Sequence, residues 1–255
     1  MEFVNIIRKQ DGAVLELNRG KVNALNHQMV KEIRTAMAQL ANDEQVRGVI
    51  ITGKPHYFSA GLDLIELYNY SREEISAFWQ DFLGMTVDLA KFQKPLIAAI
   101  SGHSPAGGAV IAITCDYRIM VQSEKYLIGL NEVAVGINIT DSIFQLYQFW
   151  LGKRYAYQSL LQGRLFSPAE AMKTGLVDQL VDLDDLMPEA ELKLQSLLKA
   201  NDYILRDTKK VMRRQLLKSI DVDMSETIKQ RVDYWMSDEA RAQLKAFVTN
   251  LTTRK

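Results

Sequence analysis

The stretch from Ile97 to Gly136 constrains this chain more than any other. An apolar run of strand character, Leu96 to Ile100, leads into Ser104-Pro105-Ala106-Gly107-Gly108, and a second apolar run, Ala109 to Thr114, follows directly. A strand that ends in glycines and feeds a helix leaves bare main-chain N–H groups at the positive end of that helix. Such an end holds negative charge, whether carried by a ligand or developed during a reaction. After a short strand-like segment, Tyr126 to Leu130, comes a lone carboxylate, Glu132, in apolar company (Leu130, Val133, Val135). A carboxylate so placed is a candidate base with a raised pKa. Taken alone, the glycines fit close packing equally well, and Glu132 fits a solvated loop charge.

The flanking sequence says what kind of sheet this strand belongs to. Gly48 to Gly53 encloses a β-branched run, the pattern of a strand buried on both faces. The bend that follows it, Lys54 to Leu64, lies where open α/β arrangements bind ligands. Upstream, Phe3–Arg8 and Ala13–Leu17 read as a hairpin turning at Asp11-Gly12. Asn26 is a plausible N-cap for a helix to Ala41, with Met29, Ile33, Met37 and Leu40 on one stripe. Ser71 and Glu74 form a capping box for a helix to about Lys91. With a further strand at Tyr117–Val121, strand and helix alternate as in parallel βαβ units.

Past Gly136 the pattern turns helical: Asp141–Trp150, Tyr155–Gln162 and Ser167–Thr174, then a short strand, Leu176–Val181. The remainder predicts helices over Leu186–Lys199, Tyr203–Lys218 and Met224–Asn250. In the last of these, Ile228, Val232, Trp235 and Met236 read as a packing surface.

Composition removes several function classes. Lys+Arg 31 balance Asp+Glu 31, which advertises no overall nucleic-acid footprint and leaves only local basic patches open. The single Cys115 sits in an apolar run and suits a reducing compartment rather than a disulfide framework. His27, His56 and His103 lack metal-ligand spacing, so no metal site is expected. No G-x-S-x-G elbow, G-x-G-x-x-G fingerprint or P-loop is present. No apolar run is of membrane-spanning length. Charges at Glu2, Arg8, Lys9 and Asp11 break any signal-peptide core, so a cytoplasmic location is expected.

Phe58-Ser59-Ala60-Gly61-Leu62-Asp63-Leu64, Pro105-Ala106-Gly107-Gly108, Cys115-Asp116-Tyr117-Arg118 and Ile128-Gly129-Leu130-Asn131-Glu132 together resemble the crotonase superfamily of acyl-CoA enzymes. Asn23-Ala24-Leu25-Asn26 fits that family's first coenzyme A loop. The resemblance implies an α/β crotonase-like spiral of ββα units over residues 1–185 and a helical trimerisation region over 186–255. It further implies a homotrimer, or a hexamer made of two trimers. By the same resemblance, the N–H groups of Leu62 and Gly107 form an oxyanion hole for a thioester carbonyl. Val22, Ala24, Ala60, Gly61, Asp63, Leu64 and Asn131 then line the acyl-CoA site, and coenzyme A arrives as part of the substrate rather than as a resident cofactor. Basic partners for its phosphates are sought among Lys21 and Lys54.

Departures from the family pattern choose between reactions. Enoyl-CoA hydratases carry a first glutamate three residues beyond the oxyanion glycine, where this chain has Val110; the second matches Glu132. Hydration ordinarily employs both acids, whereas moving a double bond from the 3,4 to the 2,3 position needs one base. Leu-Asn-Glu at 130–132 is similar to the mitochondrial-type Δ3,Δ2-enoyl-CoA isomerases, which have it where hydratases have Gln-Pro-Glu. The expectation is therefore an isomerase with Glu132 catalytic, in the cytoplasm or, as a processed organellar form, in the mitochondrial matrix. A hydratase or other acyl-CoA enzyme of the superfamily is the alternative. A non-catalytic acyl-CoA- or RNA-binding scaffold is the reading from another class. Asn131 is left between binding substrate and capping a turn.

Overall fold

The computed structural model describes residues 1–253. In chain order the elements begin β1 (Val4–Arg8), β2 (Ala13–Leu17), α1 (His27–Asn42), β3 (Val49–Thr52), β4 (His56–Tyr57), α2 (Leu64–Leu67) and α3 (Arg72–Lys91). Next come β5 (Leu96–Ile100), β6 (Gly102–Pro105), α4 (Gly107–Thr114), β7 (Tyr117–Val121), β8 (Ile128–Gly129), α5 (Asp141–Leu161) and α6 (Pro168–Thr174). The chain finishes with β9 (Gln179–Val181), α7 (Leu186–Leu197), α8 (Asp202–Ile220), α9 (Ser225–Trp235) and α10 (Asp238–Thr253).

Two sheets organise these elements. A six-stranded sheet has the order β1-β2-β3-β5-β7-β9, antiparallel in the β1–β2 hairpin and parallel thereafter. A three-stranded parallel sheet, β4-β6-β8, lies beside it. Each of β3, β5 and β7 thus passes straight into a short strand of the second sheet, which is the ββ step of a repeating spiral. Every residue of β3 and β5 is buried, because helices cover both faces of the main sheet.

Local signals account for most helix starts. Asn26 caps α1 by accepting from the Met29 N–H at 2.9 Å. Ser71 and Glu74 form the expected capping box on α3, as do Ser167 and Glu170 on α6.

The short elements β4, α2 and β6 lie where the sequence predicted only bends, and four expected elements have different bounds. The helices expected at Asp141–Trp150 and Tyr155–Gln162 form one element, α5, broken by Gly152 with φ 73° and ψ 155°. The single helix expected over Met224–Asn250 is divided into α9 and α10, and Ser237 restarts it by accepting from the Ala240 N–H at 3.3 Å. The strand at Leu176–Val181 shrinks to Gln179–Val181, since the Leu176 and Val177 N–H groups are spent on Ala171 O at the end of α6. Of Tyr126–Leu130, Ile128–Gly129 alone pairs as a strand.

The helical tail is fastened beneath the central helix. Lys209 Nζ donates to Asp116 Oδ2 (2.6 Å) and Lys94 O (2.8 Å). Arg213 reaches Asp116 Oδ1 (2.9 Å) and Thr114 O (2.7 Å). Two cations from α8 thereby meet the carboxylate and carbonyl at the negative end of α4, a placement favoured by the helix dipole. Among the described residues no helix is long and apolar enough to cross a membrane.

Candidate active site

A cavity of about 450 Å³ lies at the amino end of α4. Its walls include Val22, Ala24, Ala60, Leu62, Asp63 and Leu64, together with Gly107, Asn131 and Glu132. The structure therefore brings together every expected site residue except Gly61, which is buried between Ala60 and Leu62.

Two loops meet here because side chains lock them to one another. Asn23 is fully buried with φ 51°, a left-handed conformation that Asn tolerates. Its amide donates to Phe58 O at 3.2 Å, and its own carbonyl accepts from the Ser59 hydroxyl at 2.7 Å. Main-chain bonds continue the seam: Ala60 N–H to Val22 O (2.9 Å), Leu25 N–H to Gly61 O (2.8 Å) and Asp63 N–H to Leu25 O (3.0 Å). The last two straddle Leu62 and leave its N–H directed elsewhere.

The glycines serve two purposes. Gly61 has φ +85°, and a Cβ placed there would lie 3.4 Å from the Gly107 nitrogen, so the bend sits directly against the start of α4. At Gly108 an added Cβ would come within 2.8 Å of Ser59 O. Close packing and an open amide, alternatives in the sequence, thus occupy adjacent positions. Ala106 precedes them with φ 46° and ψ −117°, a conformation costly for a residue with a Cβ. It is held by its N–H donating to Gly129 O at 2.8 Å. Among the described residues neither the Leu62 nor the Gly107 N–H meets a protein acceptor.

Glu132 opens the short 3-10 turn Glu132–Val135 and is 6% exposed, with Oε2 lacking any partner. Burial pushes its carboxyl up to about 7, against smaller opposing pulls from its own N–H and the charge of Arg231. Asn131 does not cap the turn with its side chain, and its Oδ1 is a buried acceptor without a donor. Asp63, the other carboxylate on the cavity wall, is committed elsewhere: it caps α2 through Glu66 N–H (3.0 Å) and pairs with Arg19 at 2.7 Å. Val110 is 1% exposed and points into the core, outside the cavity wall.

The opposite wall of the cavity was not legible in the sequence. Trp79 and Phe82 from α3 supply aromatic walls, with Ile137, Asn138 and Ile143 beside them. Arg231 from α9 also faces the cavity, although its neighbours Lys229 and Asp233 are exposed charges of ordinary appearance. Lys54 donates to Gly20 O at 2.7 Å, and Lys21 is exposed nearby in sequence.

Comparison with known proteins places this geometry. Residues 8–253 match the family model for enoyl-CoA hydratase/isomerase. The mouse protein named mitochondrial enoyl-CoA delta isomerase 1 is 34% identical over 244 residues, 95% of this chain and 84% of that one. A Mycobacterium leprae protein named probable enoyl-CoA hydratase is also 34% identical, over 202 residues, 79% of this chain and 77% of that one. The crystal structure of human mitochondrial delta3-delta2-enoyl-CoA isomerase superposes with a TM-score of 0.95 at 30% identity and covers 99% of both chains. The spiral of paired strands and helices is the crotonase fold, and the chain belongs to the enoyl-CoA hydratase/isomerase family.

Proposed function

We infer that the protein is a Δ3,Δ2-enoyl-CoA isomerase that uses Glu132 as its single acid–base group. The thioester oxygen of a 3-enoyl-CoA lies between the N–H groups of Leu62 and Gly107. Glu132, ionised, removes a proton from C2, and the electron pair of that C–H bond moves into a dienolate with its charge on the thioester oxygen. Two preorganised amides at the positive end of a helix stabilise that charge, and losing one such donor typically costs about 10²–10³ in rate. The protonated Glu132 then returns the proton to C4, leaving the double bond between C2 and C3. The buried, unpaired Asn131 Oδ1 supports a role in accepting a hydrogen bond from an N–H of the coenzyme A portion of the substrate. Lys21 and Lys54 are candidates to meet the coenzyme's phosphates, and no resident cofactor is needed for proton transfer.

The observation that carries this reading is the inventory of acids in the cavity. Of the two carboxylates on its wall, Asp63 is held by Arg19 and by its capping bond, which leaves Glu132 as the free one. Hydration ordinarily employs a second acid to orient and split water, and the position of that acid is a buried valine. We further infer a homotrimer or a dimer of trimers: Tyr155 and Leu161 on α5 and Val211 and Met212 on α8 are exposed apolar side chains that subunit contact would cover.

Two assays on purified protein test the reaction. Conjugation of a 3-enoyl-CoA, followed by ultraviolet absorbance, is expected to be fast, and hydration of crotonyl-CoA negligible. Fast hydration with slow conjugation would overturn the assignment.

A further inference from the structure

Arg231 is an unexpected residue to find in a pocket for a fatty acyl chain. It is 6% exposed, stacks over Trp79 with its guanidinium carbon 4.5 Å from the ring centroid, and donates from Nη2 to Asn138 O. Its Nε is buried and has no partner among the described residues. Among the described residues no carboxylate lies within ion-pair distance of it, Glu132 included. A guanidinium keeps its charge at any pH a protein meets. Burying such a charge with neither counter-ion nor full hydrogen bonding is strongly unfavourable.

Its surroundings narrow what could answer it. The void behind Arg231, lined by Trp235, Ala240 and Leu244 among others, is about 10 Å³, the limit for one water. That void adjoins the main cavity, and Trp79, Ile137, Asn138 and Arg231 form the wall between the two. Glu132 is near enough for its charge to be felt at Arg231, yet the two do not pair. A direct ion pair would hold Glu132 ionised and spoil it as a proton carrier. Stacking on Trp79 and the bond to Asn138 hold the guanidinium apart from the base.

We propose that Arg231 reads the far end of the acyl chain, and that the preferred substrates are short 3-enoyl-CoA thioesters whose chain ends in a carboxylate. Such an end supplies the missing counter-ion and accepts from the guanidinium fork, an arrangement to which planar carboxylates are well matched. The apolar walls Phe82, Ile137 and Ile143 suit the methylenes between the two ends. This substrate class rests on the isomerase reading above and deepens it.

The test uses the wild-type protein and a matched series of short 3-enoyl-CoA thioesters, each with and without a terminal carboxylate. In at least one pair the carboxylate member is expected to have a kcat/KM about 10–100-fold higher, the range of a charge-assisted hydrogen-bonded contact. Arg231→Gln is expected to abolish that ratio, and Arg231→Lys to retain part of it. No preference in any pair would overturn the proposal. So would a preference that survives unchanged in Arg231→Gln, or an Arg231→Gln variant that shifts the pH profile alike for both members while leaving their ratio intact. Should Arg231→Gln fail to fold, the wild-type ratio still decides. If neither member is isomerised, the reaction assignment fails separately. Calorimetric Kd values for saturated short acyl-CoA thioesters with and without the carboxylate then test Arg231 independently, with equal affinities sinking it.

Discussion

One side of the cavity is made of main chain and the other of side chains. On the first side, Gly61, Ala106, Gly107 and the loop at Asn23 shape the backbone so that two amides stay open. On the second, Glu132 and Arg231 arrive on separate elements, and among the described residues neither makes an ion pair. A site built from backbone resists loss by side-chain truncation but is sensitive to any added atom. A site built from side chains has the opposite weakness.

The sharpest way to break the comparison is at the acid. Glu132→Gln is expected to lower isomerisation by about 10²–10⁴ while the melting temperature holds or rises, since a buried carboxylate without a partner is replaced by a neutral amide. A rate that survives this change would take the residue out of the mechanism. The next effect concerns the fastening of α8. Asp116→Asn leaves Lys209 and Arg213 without their carboxylate and should cost about 3 kcal/mol in denaturant unfolding. On the backbone side, Gly108→Val drives a methyl toward Ser59 O and should cost about 1–3 kcal/mol together with most of the activity. An active, fully stable Gly108→Val would show that the close approach of the two loops is dispensable.

The smallest effect is read from pH. On the proposed mechanism Glu132 accepts the C2 proton only when ionised, so kcat/KM should rise about tenfold per unit below about 7 and level off above it. Arg231 on α9 and the buried Tyr147 on α5 face this carboxyl, and neither is expected to titrate in that window. Stability runs the other way. The folded protein keeps the Glu132 proton up to about 7, whereas the unfolded chain releases it near 4.5. The group's contribution is therefore complete below 4.5 and is lost as pH climbs through 7. Both dependences should vanish in Glu132→Gln, and a profile that persists would place the titration elsewhere.

The same division explains what could be read from the sequence. A backbone site requires small residues at fixed places, and Ala60-Gly61 and Ala106-Gly107-Gly108 carry that requirement openly. Glu132 was visible as a charge among apolar neighbours. Arg231 was not: it lies between Lys229 and Asp233 in an amphipathic helix, and only the packing of α9 against Trp79 turns it inward. Trp79 likewise reads as core from its helical spacing, because a cavity wall and a core face have the same periodicity. The division between α9 and α10 had a faint signal, Ser237 followed by Asp238 and Glu239, with no glycine or proline to mark it.

The bond from Ala106 N–H to Gly129 O joins the strained residue before α4 to the strand that runs on into Glu132. Base and amide consequently share a common mount. A single main-chain bond therefore sets how far the buried carboxyl stands from the open amide, so a change that loosened it would disturb both sides of the cavity together.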